Sequence, residues 1–128
     1  MAVVLCIGVN PLLIATRKMI LERAGHTAFT ATNERELKNI CAEHHLDVVV
    51  VGQRVPAREK RRVLTLVRDC TAGAKVLELY EQGGGRILED ADDWLLVPTD
   101  APGDLVTRVE ALIVQNEKPQ NHPSGSAE

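Results

Sequence analysis

LDVVVVGQRVP, residues 46–56, is the stretch that decides the fold. Four valines, Val48 to Val51, stand in a row with no polar residue among them. An unbroken β-branched run of this length fits a strand covered on both faces, as in a parallel sheet, rather than one with a wet side. The run ends at Gly52, and Pro56 closes the loop that follows. The strand therefore delivers a residue without a side chain to its carboxyl end, which is where an open parallel sheet carries its sites.

The same pattern extends in both directions. VVLCIGV (3–9) is a second continuous apolar run. Asn10 supplies a side-chain cap after it, and Pro11 a first helical residue whose missing N–H costs nothing. That helix is expected to run to about Ala24, with Leu13, Ile20, Leu21 and Ala24 facing inward and Gly25 closing it. HTAFTAT (26–32) reads as a strand. Asn33 with Glu36 resembles a capping box for a helix whose inner face is Leu37, Ile40 and Cys41. Beyond Pro56, Val63, Leu66, Val67 and Cys70 mark another helical stripe. KVLELY (75–80) and WLLV (94–97) are the last strands, with room for only a short helix between them. Thr99 or Asp100 caps a final helix, with Leu105, Val109, Leu112 and Ile113 inward. Five strands alternating with five helices give an α/β class: a doubly wound, five-stranded parallel sheet with a shortened fourth helix. The ordered domain is expected over 1–116, and the Pro-, Ser- and Gly-containing stretch 117–128 as a disordered tail.

Bulk composition narrows the function. The chain has 128 residues, 45% of them apolar, enough for one domain with a real core. A formal charge of −3 argues against nucleic acid, whose phosphates need a concentrated basic surface. The cluster Arg58-Glu59-Lys60-Arg61-Arg62 is the exception and reads as a solvated helix face. Cys6, Cys41 and Cys70 are odd in number, widely spaced and on apolar stripes, so they read as small buried hydrophobes. No Cys-x-x-Cys pair exists, and no metal is expected. The apolar run at 2–7 carries no basic leader and is broken by Asn10-Pro11, so a cytoplasmic location is expected.

The strand ends then exclude familiar chemistries. GVNPLL after the first strand lacks the glycines of a dinucleotide turn and the hydroxyls of a flavin phosphate loop. Glu81, Asp92 and Asp93 read as solvated loop charges, and no nucleophile stands beside a base. Gly83-Gly84-Gly85 could offer backbone N–H groups to an anion, but no Lys or Ser/Thr follows as a phosphate loop requires. No cofactor and no enzymatic activity are expected.

In order and spacing, several strings together resemble the receiver domain of bacterial response regulators, the CheY-like branch of the flavodoxin-like (βα)5 folds. They are Pro11-Leu12-Leu13, Leu21 to Gly25, Asp47 to Val51 with Pro56, Ala91 to Leu95, and Val97-Pro98. The resemblance covers about residues 3–114. It implies an acidic pair for Mg²⁺ after the first strand, a phosphoacceptor Asp after the third, a hydroxyl after the fourth and a lysine after the fifth. This sequence has Gly8 and Val9, with Asn10 beside them, for the pair. It has Gly52 for the acceptor, Tyr80 for the hydroxyl and Val97 for the lysine. Gly52 cannot form an acyl phosphate, and neither valine can hold a metal or a phosphate. The resemblance therefore implies a pseudo-receiver, a phosphorylation-independent interaction module of signalling or regulation. Its partner is a protein or a second copy, with Trp94 and Arg108 on the contacting face. The alternative left open is a small-ligand or anion sensor that reuses the strand edge, lined by Gln53, Arg54 and the three glycines.

Overall fold

The structure is a computed structural model that describes residues 2–99, 101 and 103–121. Five strands form one sheet: β1 (Val3–Ile7), β2 (Thr27–Ala31), β3 (Val48–Val51), β4 (Lys75–Glu81) and β5 (Asp93–Val97). Their order is β2-β1-β3-β4-β5, and every pair is parallel. The four helices are α1 (Pro11–Arg23), α2 (Glu34–Glu43), α3 (Ala57–Cys70) and α4 (Gly103–Asn121). The all-valine β3 is central, and its side chains are buried on both faces. Val49 and Val51 join Leu37, Val63 and Val67 beneath α2 and α3. Val48 and Val50 join Ile14, Leu21, Val109 and Leu112 beneath α1 and α4.

Local chemistry places both ends of α1 and the start of α2 where the sequence suggests. The Asn10 side-chain oxygen accepts from the Leu12 and Leu13 N–H groups, and Pro11 opens α1. The helix closes in a Schellman arrangement: Gly25, at φ 98°, donates to Glu22, and His26 donates to Leu21. Asn33 Oδ1 accepts from Glu36 N–H, while the Glu36 carboxylate reaches back to the N–H and hydroxyl of Thr32. Those hydrogen bonds hold the Glu36 pKa below its ordinary value.

The structure departs from expectation at four places. No residue between β4 and β5 is helical, so the shortened fourth helix is absent and residues 82–92 cross as an irregular segment. The buried stripe of α1 runs through Ile14 and Leu21, whereas Leu13 and Ile20 are half-buried and Ala24 is exposed. Arg17 lies between them on that stripe, and a charged residue there disguised the true inner face. The last helix continues through Asn121, past the boundary expected at 116; residues 122–128 lie outside the described residues. The expected cap Asp100 also lies outside them, and the Thr99 hydroxyl donates to the Ala101 carbonyl instead of capping.

Candidate functional site

The strand order reverses between β1 and β3, so the carboxyl ends of these two strands form the natural site of this topology. Gly8 follows β1 and donates to the Ala31 carbonyl. Gly52 follows β3 and donates to the carbonyl of Ile7. With Val9, Asn10, Leu13, Ile14, Arg17, Gln53 and Arg54, the two glycines enclose a cavity of about 10 Å³, room for about one water.

The chain's own side chains fill that corner. A Cβ on Gly8 would fall 2.8 Å from Cγ2 of the buried Ile14. A Cβ on Gly52 would lie 3.1 Å from the Ile7 carbonyl oxygen and 3.4 Å from Nη1 of Arg17. The Arg17 guanidinium donates through Nη2 to Gln53 Oε1 at 2.7 Å. Burial pulls the Arg17 pKa below its ordinary value, and the guanidinium stays charged at neutral pH. Burial also pushes the nearby Cys6 thiol up to about 12, so it is neutral and gives Arg17 no counter-charge. The corner that the receiver resemblance gives to a metal and a carboxylate thus holds an isoleucine methyl and a fixed cation.

Other residues picked from the sequence are spread around this corner. Asn10 spends its side-chain oxygen on the helix cap, and Val9 is exposed. Arg54 lies 3.8 Å from Glu81. The triple glycine does not line the cavity. Gly83 and Gly85 take φ of 90° and 75°, a turn that needs glycine, and the Gly84 and Gly85 N–H groups donate to the Glu81 carbonyl. Val97 packs on the α1–α4 core. Tyr80 is half-buried, with the Arg86 guanidinium 5.6 Å from its ring centre and 4.8 Å from that of Trp94. Trp94 is half-buried too, and its indole N–H donates to Leu88. Arg108 donates to the Asp93 carboxylate and to the Trp94 carbonyl. Beside them Leu96, on the edge strand β5, is 41% exposed.

Several charges read as solvated are structural. Lys60, inside the basic cluster, is buried and donates to Glu78 Oε2 at 2.7 Å and to the Leu79 carbonyl at 3.0 Å. Glu78 is fully buried in β4, and its carboxylate also accepts from the backbone N–H groups of Ile87 and Leu88. One carboxylate thus pins the segment that stands where the fourth helix was expected. Asp92 accepts from Val76 N–H and from Arg68, and Asp93 accepts from Arg108. His26, buried, takes the Ala2 N–H on Nδ1 and faces Glu110 through Nε2, so Nε2 carries the proton that holds α4. Cys70 is exposed rather than buried. A glutamate inside an apolar strand and a lysine three residues before Val63 were the available signals for the buried pair. Among the described residues no group of His, Cys, Asp and Glu could hold a metal ion, and no helix is long and apolar enough to cross a membrane.

Neither a family model nor a curated protein sequence matches the chain. Solved structures do. A CheY-like response regulator receiver domain protein from Methanospirillum hungatei JF-1 aligns with a TM-score of 0.78 at 19% identity, over 93% of this chain and 98% of that one. The chemotaxis response regulator CheY4 of Vibrio cholerae aligns at 0.72 and 20% identity, over 88% and 98%. The beryllofluoride-activated NtrC4 receiver domain dimer aligns at 0.76 and 17% identity, over 91% and 100%. The fold is therefore the CheY-like flavodoxin fold, with four helices about the sheet in this chain.

Proposed function

We propose that this chain is a phosphorylation-independent receiver-like domain that works in signalling or regulation by contacting a protein partner or a second copy of itself. One observation carries the reading. The strand-edge corner is filled by Ile14 over Gly8 and by the Arg17 guanidinium over Gly52. An aspartyl phosphate needs a carboxylate there and a metal to offset its charge. Gly52 offers no carboxylate, and a permanent cation fixed in the corner opposes a divalent ion by like-charge repulsion. A cavity of about 10 Å³ also gives little support to a ligand sensor at this edge. Incubation with a small phosphodonor and Mg²⁺ tests the reading by intact mass. The expected spectrum is unchanged, and a stable phosphoryl adduct on an Asp or Glu would overturn the proposal.

The contacting surface fits the remodelled side of the sheet. With no helix between β4 and β5, Leu96 stands exposed on the edge strand beside Tyr80, Trp94 and Arg86. Trp94 supports this patch from half-burial rather than projecting from it. A similar receiver domain forms a dimer, which makes a second copy a reasonable occupant.

A further inference from the structure

A second surface, between α2 and α3, shares no lining residue with the strand-edge corner and is independent of that reading. α2 and α3 enclose an open groove of about 510 Å³. Arg58, Arg61 and Arg62 line it from α3 at i, i+3 and i+4, and Lys38 lines it from α2. Glu34 is its one carboxylate, and it is engaged: Arg62 binds it through Nε at 2.9 Å and Nη2 at 3.1 Å. Among the described residues Lys38, Arg58 and Arg61 have no carboxylate partner. Four cations against one carboxylate stand out on a chain whose formal net charge is −3.

The cluster divides by role. Lys60 turns inward to Glu78, while its arginine neighbours are exposed. Those arginines also occupy the first two turns of α3, whose positive end has no side-chain cap. Cations there oppose the helix dipole, and an anion in the groove would relieve both the dipole and their mutual repulsion. Guanidinium forks match phosphate oxygens in pairs. Leu66 is the only large apolar lining residue and no aromatic ring is present, so the groove lacks both a nucleobase platform and the apolar anchors of a protein interface. Its volume is that of a small-molecule site.

We infer that the α2–α3 groove binds a multiply charged, phosphate-bearing small molecule through Arg58, Arg61, Arg62 and Lys38. Calorimetric titration of the full chain with tripolyphosphate tests it, against sulfate at matched ionic strength and against a hexaglutamate peptide. The expected result is one-to-one binding that weakens with salt and falls about tenfold or more in Arg58→Ala/Arg61→Ala. Lys38→Ala, on the other helix, is expected to weaken it as well, with the unliganded melting temperature of each variant near that of wild type. No heat with tripolyphosphate, undiminished binding in both variants, equal binding of sulfate, or tighter binding of hexaglutamate would each overturn the inference.

Discussion

At Gly52 the missing side chain matters less than what stands in its place. Arg17 reaches across from α1 to hydrogen-bond Gln53, and its Nη1 would touch any Cβ added at Gly52. Gly8 is constrained in the same way by Ile14. The absence of acids at both positions is therefore coupled to packing, and restoring one is not a local change. Gly8→Asp is expected to lower stability by about 1–3 kcal/mol, because overpacking displaces a buried methyl. In an Ile14→Ala background, which removes that methyl, the added cost of Gly8→Asp should shrink. Urea denaturation of the four chains measures the coupling, and equal costs in both backgrounds would refute it. The glycines were legible in the sequence because a strand end lacking its carboxylate is visible residue by residue. Their occupants were not. Ile14, Arg17 and Leu21 share one helical face, but a charged residue in the middle hid it, and only the tertiary fold brings that face over β1 and β3.

At the scale of elements, the segment 82–92 replaces a helix and is held by a buried ion pair. Glu78 gives its carboxylate to Lys60 and to the N–H groups of Ile87 and Leu88, so these two connector amides are satisfied without helical hydrogen bonds. Such pairs add little net stability when intact, and losing one partner leaves a buried charge uncompensated. Lys60→Met is accordingly expected to cost about 3–5 kcal/mol by denaturant unfolding and to speed amide exchange at Ile87 and Leu88. A cost below about 1 kcal/mol would show that Glu78 is served by the backbone alone. The strands, the Asn10 and Asn33 caps and the parallel class were readable because periodicity and capping are local signals. KVLELY read as an apolar strand despite its glutamate, and the basic cluster read as one wet face despite its buried lysine. Each residue makes sense only once α3 lies over β4, a contact that no local window contains.

For the molecule as a whole, the two faces of the sheet carry different business. The α1–α4 side seals the strand-edge corner with Arg17, and the α2–α3 side presents the basic groove. The open edge at β5 presents Leu96. Light scattering is expected to find a concentration-dependent dimer or a partner complex that Leu96→Arg disrupts; an unaffected assembly would move the contact elsewhere. The central claim concerns the sealed corner, and the amide spectrum of the full chain titrated with Mg²⁺ and beryllofluoride tests it most directly. With Arg17 in place, no saturable shifts are predicted at Gly8, Val9, Gly52 or Gln53. Saturable shifts confined to those residues would mean that the corner still receives a metal and a phosphoryl mimic, and would contradict the account.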